Sequence, residues 1–214
     1  MTRSGVPVVA AFDVDGTLTA SDCVVPFLRR LGGRRGIVLA MGRAPVRTIT
    51  ALLRRDRDLM KDVVVGGVHR GRMVADVDAE GRRFAQLVGA TMLRDDMVGR
   101  LRWHQSVGHR TVIVSASLRS YLVPLAESLG IDHLVCTDVT ITGSRYQASL
   151  AGANCRGPEK AVRLRELLTS EGLQTATLWA YGDSRGDREM LAMAHHPVWV
   201  TGTTVTAVPD EEQQ

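Results

Sequence analysis

Two aspartates separated by one residue follow the first apolar run of the chain, Val8–Phe12. Side chains alternate along a β-strand, so the carboxylates of Asp13 and Asp15 are expected to project to the same side. Two like charges this close raise one another's pKa or recruit a metal ion. Gly16 and Thr17 follow, and a turn there leaves backbone N–H groups free to bind an anion. The segment indicates phosphate chemistry on a Mg²⁺ ion, with an ordinary Asp-Gly turn as the alternative.

Two later segments place a phosphate-binding group beside a predicted helix start. Ser115 ends an apolar run and could donate a hydrogen bond to a phosphate oxygen near a helix N-terminus, or it could be an ordinary helix cap. Lys160 follows Gly157-Pro158, a typical helix start, and so falls in a first turn where the helix dipole disfavours a cation. A bound anion would remove that penalty; an exposed surface lysine is the alternative interpretation.

A third segment carries two more acids. The apolar run that ends at Gly182 is followed by Asp183, and a helical pattern begins after Asp187. Asp183 could complete an oxygen cage for Mg²⁺ together with Asp13. Asp187 could hold a metal-bound water or pair with Lys160. Helix capping is the alternative, and it explains one of these acids more readily than both.

Strand-like and helix-like runs alternate outside residues 20–92. Apolar runs predict strands at 7–14, 111–115, 134–137, 177–182 and 197–201. Apolar spacing of about three to four residues predicts helices at 93–107, 118–129, 159–168 and 188–194. A small β-hairpin is expected between residues 138 and 150, with its turn at Gly143-Ser144. Such alternation is typical of an α/β fold with a mostly parallel central sheet covered on both faces.

Residues 20–92 differ from the rest of the chain because they are rich in arginine and glycine and show few strand signals. Helical patterns are present at 24–31, 46–60 and 78–88. We interpret this segment as a helical cap domain inserted directly after the aspartate pair, where it would lie over the site. Residues 1–19 and 93–214 would then form the core domain.

Composition and length are those of an ordinary globular protein. The chain has 214 residues, 44% of them hydrophobic and 23% charged, enough for one domain with an insertion. No apolar run approaches the length of a membrane span, and the first residues lack the apolar region of a signal peptide. Three widely spaced cysteines, Cys23, Cys136 and Cys155, favour reduced thiols over a disulfide framework or a zinc site. We therefore expect a cytoplasmic protein.

The net charge of +4 is unevenly distributed, because a cluster of arginines lies between residues 29 and 57. A solvated helical face is one interpretation; attraction to an anionic substrate, or peripheral contact with an anionic membrane, is the other. Nucleic-acid binding is disfavoured because no aromatic residue follows Phe27 in this stretch to stack on bases. Nothing in the sequence indicates an obligate protein partner.

Four motifs occur in a fixed order over residues 7–201: Asp13-Val14-Asp15-Gly16-Thr17, Ser115, Lys160, and Gly182-Asp183 with Asp187. Together they resemble the motifs of the haloacid dehalogenase (HAD) superfamily, and specifically its phosphoserine-phosphatase-like subfamily IB. The resemblance implies a Rossmann-like core with a helical cap inserted after the first strand. It also implies Mg²⁺ and hydrolysis through an aspartyl-phosphate.

That resemblance assigns roles to individual residues. Asp13 would attack phosphorus, and Asp15 would protonate the leaving alcohol and later act as a base on water. The implied Mg²⁺ ligands are Asp13, Asp15 through its carbonyl, and Asp183. Asp187 would support Lys160 and the metal shell. The predicted phosphate-binding residues are Gly16, Thr17, Ser115, Ala116 and Lys160.

The substrate is indicated only by class. An aspartate at position 15 favours phosphoester chemistry over dehalogenation. Phosphoserine phosphatases typically carry Glu where this chain has Asp22, Gly-Gly where it has Ala116-Ser117, and Asn where it has Gly186. We therefore expect a small-molecule phosphomonoester or an anionic lipid phosphate, with Asp22 as a specificity candidate. Phosphoserine itself, and a non-catalytic phosphate-binding module on the same fold, are the alternatives.

Overall fold

Seven strands are present in the computed structural model, which describes residues 6–202. They are Val8–Phe12 (β1), Arg110–Leu118 (β2), His133–Thr137 (β3), Val139–Thr142 (β4), Arg145–Leu150 (β5), Thr177–Gly182 (β6) and His196–Trp199 (β7). Five of them form a parallel sheet in the order β3-β2-β1-β6-β7, and β4 and β5 form the predicted hairpin. The predicted core residues 1–5 and 203–214 lie outside the described range.

Eight α-helices connect or follow these strands within residues 6–202. They are Val24–Arg43 (α1), Pro45–Arg54 (α2), Arg57–His69 (α3), Val74–Thr91 (α4), Asp95–Ser106 (α5), Arg119–Leu129 (α6), Pro158–Ser170 (α7) and Arg188–Ala192 (α8). The helices α1 to α4 all lie between β1 and the next strand. The predicted α/β fold, with a central parallel sheet and a helical segment after the first strand, is confirmed.

The central strand β1 is covered on both faces, as its apolar sequence predicts. Phe12 packs in a core cluster with side chains of α5 and α6, including Leu101 and Leu122. Ala11, one residue earlier, packs in a second cluster that contains Leu164 of α7. Both faces of β1 are therefore buried, and Asp13 directly follows its carboxyl end.

The first three helices differ from the prediction in length and number. The helix predicted at 24–31 continues to Arg43, through a non-helical residue at Gly33. The helix predicted at 46–60 is two helices, because Arg55 adopts a left-handed conformation with φ of 52°. Asp56 then caps the start of α3, because its side chain accepts a hydrogen bond from the Leu59 N–H at 2.9 Å.

The helical segment packs on the rest of the chain at two places. Helix α3 lies against β5, and α4 lies against α6. No single helix within residues 6–202 has the length and hydropathy of a membrane span; α1 and α2 meet that criterion only as a pair that is bent by 93°. Whether residues 20–92 form a separate cap domain stays a prediction.

His69, at the end of α3, has a ring that is buried in this packing. Its Nδ1 lies 2.8 Å from the carbonyl oxygen of Val65, and the ring contacts Phe27 and Tyr146. Burial lowers the pKa of His69 to about 4, and the charge of Arg72 adds to the shift. In the unfolded chain a histidine binds its proton near pH 6.5. The unfolded state therefore takes up a proton first as the pH falls.

We expect His69→Asn, whose amide can still donate to Val65, to weaken the acid sensitivity of the fold. Between pH 6.5 and pH 5 the native chain should lose about 1.6 kcal/mol more unfolding free energy than the variant, because the slope of about 1.4 kcal/mol per pH unit is only half developed at pH 6.5. Urea unfolding of both proteins at the two pH values measures this difference. Equal losses would contradict a neutral, buried His69.

Candidate active site

The carboxyl ends of β1, β2 and β6 lie at the same end of the sheet. The strand order reverses here, because β2 and β3 extend the sheet on one side of β1, and β6 and β7 extend it on the other. Asp13 directly follows β1, Asp183 directly follows β6, and Ser115 lies towards the end of β2. Open parallel sheets bind ligands in the crevice at such a reversal. The first turn of α7 carries Lys160 to the same crevice, so the four sequence motifs lie together.

Lys160 is buried between two carboxylates. Its Nζ donates to Asp13 Oδ1 at 2.6 Å and to Asp187 Oδ1 at 2.5 Å. The side chain of Lys160 is only 2% exposed. Burial alone would lower the pKa of Lys160, but the two carboxylates outweigh this effect and raise that pKa. Lys160 is therefore a buried cation of the site and not the exposed surface lysine of the alternative interpretation.

Asp187 has a second set of partners besides Lys160. Its Oδ2 accepts hydrogen bonds from the backbone N–H of Ser184 at 3.0 Å and from the Ser184 hydroxyl at 2.8 Å. These bonds cap the short 3-10 turn Arg185–Asp187. One residue thus fills both roles that the sequence left open, since it caps a turn and pairs with the buried lysine.

The acids of the site carry more negative charge than Lys160 compensates. Asp13, Asp183 and Asp187 each offer a carboxylate oxygen, and these oxygens lie within 4.8 Å of one another. Burial raises the pKa of Asp13 against the opposing charge of Lys160. Burial and the charge of Asp13 raise the pKa of Asp183 to about 6. Three carboxylates and one ammonium leave two formal negative charges, so the cluster fits a divalent cation such as Mg²⁺.

The turn after Asp13 places a residue without a side chain against Asp183 and leaves one buried hydroxyl unpaired among the described residues. Gly16 has a φ of +83°, and a side chain at this position would collide with the carboxylate of Asp183. The hydroxyl of Thr17 is buried and has no hydrogen-bond partner within residues 6–202. Buried polar atoms are rarely left unpaired, and a phosphate oxygen would supply the missing partner.

Asp15 points to a different set of groups from Asp13. Its Oδ1 accepts from the backbone N–H of Cys23 at 2.8 Å, and its Oδ2 accepts from the Ser117 hydroxyl at 2.5 Å. Burial and the charge of Asp13 raise the pKa of Asp15 to about 6. The Asp15 carboxylate is not part of the acidic cluster that could hold a metal. A metal bond through the Asp15 carbonyl stays a prediction.

The segment around Ser115 differs from the sequence prediction. The strand predicted to end at Ser115 continues to Leu118, and its pairing with β3 shifts register between those two residues. Helix α6 begins only at Arg119, so Ser115 is not next to a helix N-terminus. The Ser115 hydroxyl is buried and accepts from the backbone N–H of Ser117 at 3.1 Å. Its hydrogen remains able to meet a phosphate oxygen.

Lys61 is a site residue that the sequence analysis missed. It comes from α3, and its Nζ donates to the carbonyl oxygen of Ala116 and, at 2.7 Å, to Asn154 Oδ1. Burial lowers the pKa of Lys61 to about 8, although the charges of Asp15 and Asp58 oppose the shift. Lys61 and Lys160 are the two lysines of the sequence, in which arginine is the usual cationic residue. The scarcity of lysine was the available sign that Lys61 belongs to the site.

Two further residues, Arg94 and Asp22, lie at the border of the site. Arg94, also missed, donates to the carbonyl oxygen of Gly16 at 3.3 Å and pairs with Asp96 at 2.8 Å. Asp22, the specificity candidate, is exposed, and its Oδ2 accepts from the Val25 N–H at 3.0 Å at the start of α1. Asp22 thus caps a helix within one residue of the Cys23 amide that binds Asp15.

Comparison with known proteins identifies relatives along most of the chain. A model of the haloacid dehalogenase-like hydrolase family matches residues 10–192. Protein CicA of Caulobacter vibrioides is 36% identical over 189 residues, which cover 88% of this chain and 83% of that protein. Phosphoserine phosphatase SerB1 of Mycobacterium tuberculosis is 26% identical over 208 residues, which cover 94% of this chain and 65% of that protein.

A similar fold is found among solved structures. A phosphoserine phosphatase described as a phospho-aspartyl intermediate analogue superposes with a TM-score of 0.61 at 15% identity. The superposition covers 88% of this chain and 83% of that one. At this level of identity the likeness concerns the fold alone.

Proposed function

The chain belongs to the haloacid dehalogenase-like hydrolase family, and we propose that it is a Mg²⁺-dependent phosphomonoesterase that acts through a phosphoryl group on Asp13. One observation carries the proposal: a buried lysine joins Asp13 and Asp187, while Asp183 adds charge that no described cation neutralises by direct contact. A divalent cation and a phosphate group would together balance this arrangement.

The first chemical step is the transfer of the phosphoryl group to Asp13. Lys160 binds Oδ1 of Asp13, which leaves Oδ2 outside that ion pair. Oδ2 forms a bond to phosphorus while the bond from phosphorus to the ester oxygen breaks. The proton of Asp15 passes to the departing oxygen and releases an alcohol. Mg²⁺ held by Asp13 and Asp183, with the Asp15 carbonyl, would offset the charge of the phosphoryl group.

The second step restores Asp13. Asp15, now ionised, accepts a proton from a water molecule while the water oxygen attacks phosphorus. The bond from phosphorus to Asp13 then breaks. Inorganic phosphate leaves. Lys160 and the hydroxyls of Ser115 and Thr17 would bind the phosphoryl oxygens during both steps. The raised pKa of Asp15, about 6, suits a group that must both give and take a proton.

The proposal is tested by phosphate release from a panel that contains p-nitrophenyl phosphate, phosphoserine, glycerol 3-phosphate and sugar phosphates. We expect turnover with Mg²⁺, loss of turnover in excess chelator, and recovery when Mg²⁺ is restored. Phosphoserine as the preferred member would favour the alternative of a phosphoserine phosphatase. No turnover of any ester with Mg²⁺ present would contradict the proposal and favour a phosphate-binding module.

Asp15→Asn should separate the two steps, because it removes the transferable proton but not the nucleophile. With glycerol 3-phosphate we expect turnover to fall by about 10² to 10⁴-fold, the usual contribution of general acid–base catalysis. With p-nitrophenyl phosphate, whose leaving group departs as p-nitrophenolate and needs no proton, the variant should release one p-nitrophenolate per site in a burst and then stall. Stopped-flow absorbance measures the burst.

The matched control for this experiment is Asp95→Asn, an exposed carboxylate in the first turn of α5. That variant should turn over both esters at the native rate. Equal losses for both esters in Asp15→Asn, without a burst, would contradict the role of Asp15 as the acid of the first step.

A further inference from the structure

The outer face of α2 is apolar and uncovered. Val46, Ile49, Leu52 and Leu53 recur at helical spacing and are 76%, 56%, 63% and 81% exposed. Ala51, on the opposite side of the same ten-residue helix, is buried. Contiguous exposed apolar patches on a folded chain mark interaction sites. We call this set of four side chains the α2 face.

Arginines surround the α2 face. Seven arginines lie in α2, next to it, or on the second half of α1. All of them are exposed: Arg34, Arg35, Arg43, Arg47, Arg54, Arg55 and Arg57. Within residues 6–202 only Arg47 of this set pairs with a carboxylate, that of Asp62 at 2.5 Å. A short amphipathic helix with an apolar face and a basic border binds in the surface of an anionic membrane. Pairing of two copies through this face would bring like charges together, which disfavours a dimer.

A groove of about 770 Å³ runs beneath α2, between it and helices α1 and α3. Most of its lining side chains are apolar, and they include Leu28, Ile37, Met41, Leu52 and Met60. Leu52 belongs both to this lining and to the α2 face. The groove is therefore continuous with the surface that would meet a membrane, and its chemistry suits a hydrocarbon chain.

The lining of the groove includes two residues that lie next to the candidate active site, Lys61 and Asp22. Lys61 also donates to the Ala116 carbonyl oxygen in β2, and Cys23, next to Asp22, donates its backbone N–H to Asp15 at 2.8 Å. An apolar chain in the groove would thus place its polar head group beside the acids of the site.

We infer that the substrate is a lipid phosphomonoester taken from an anionic membrane surface, with the α2 face docked on the membrane and an acyl chain in the groove. This inference rests on the proposed phosphatase activity and adds the class of substrate. The covalent chemistry at Asp13 is unchanged by it.

The docking step is tested by sedimentation of the full chain with vesicles. We expect binding to vesicles of phosphatidylcholine with phosphatidylglycerol to be at least about tenfold tighter than to phosphatidylcholine alone, given the number of arginines at the surface. Ile49→Glu/Leu53→Glu should abolish this binding. Leu87→Glu/Val107→Glu, which alters exposed apolar side chains elsewhere, should retain it. No binding by the native chain, or binding that survives Ile49→Glu/Leu53→Glu, would overturn the docking. So would light scattering that shows a native dimer which this double variant dissociates.

The substrate class is tested by kcat/KM for alkyl phosphates of increasing chain length and for oleoyl lysophosphatidate against glycerol 3-phosphate. We expect kcat/KM to rise up to about fourfold for each methylene that enters the groove, and Leu52→Asp should flatten this rise. Ile49→Glu/Leu53→Glu should retain turnover of p-nitrophenyl phosphate. Turnover of p-nitrophenyl phosphate without dependence on chain length would overturn the inference alone, whereas no turnover of any ester would overturn the proposed function.

Discussion

Asp13→Asn should release phosphate from p-nitrophenyl phosphate at least about 10³-fold more slowly than the native chain, because an amide oxygen is a poor nucleophile. The change is nearly isosteric, and the amide oxygen can still accept a hydrogen bond from Lys160. It also removes one negative charge from a cluster in which three carboxylates face one ammonium. The variant should therefore fold normally, so the lost rate reports on chemistry. Initial rates, together with circular dichroism and thermal unfolding, test this expectation.

Asp95→Asn serves again as the control, since it removes an exposed carboxylate that lies outside the acidic cluster. It should keep the native rate. A rate within about tenfold of the native one in Asp13→Asn, a loss of under about 1.4 kcal/mol in transition-state stabilisation, would mean that another group attacks phosphorus.

Lys160→Met should have the largest effect on stability. The buried ammonium contacts Asp13 and Asp187, which are themselves almost fully buried. Removing one partner from such a group leaves uncompensated charge in the interior, which typically costs about 3–5 kcal/mol of unfolding free energy. Urea unfolding in the presence of chelator measures the loss without a contribution from bound metal. Activity should fall as well, because the phosphoryl group loses its ammonium partner.

Two comparisons make the Lys160 result specific. Lys160→Met/Asp187→Asn should recover part of the stability, since it leaves one fewer buried charge. Arg83→Met breaks the exposed pair with Glu80 and should cost under about 1 kcal/mol. If Lys160→Met lowers the free energy of unfolding by no more than Arg83→Met does, Lys160 does not stabilise the two buried carboxylates.

The sheet could be predicted from the sequence because each strand is an apolar run that ends in turn or polar residues. The helix predicted at 46–60 failed for a local reason. Arg55 adopts a left-handed conformation that a non-glycine residue seldom takes, and apolar periodicity does not reveal it. Asp56, which caps α3, was the available sign of a new helix start. The end of β2 was misplaced because a register shift carries the strand past Ser115.

Within the site, motifs predicted the residues that follow strands or begin helices, and packing between elements determined the rest. Asp13, Lys160, Asp183 and Asp187 follow strands or begin helices, so the topology of a parallel sheet brings them together. Lys61 meets Ala116 only because α3 folds back over the core. The side chains that bind a residue across such a packing interface cannot be identified by spacing along one segment.

Acid quenching during turnover, followed by peptide mapping, tests most directly whether Asp13 carries the phosphoryl group. We expect a hydroxylamine-sensitive acyl phosphate on the peptide that contains Asp13 in the native chain, and none in Asp13→Asn. Phosphate release with the phosphoryl group on a different residue, or with no trapped acyl phosphate under conditions where the second step is slow, would contradict the central claim.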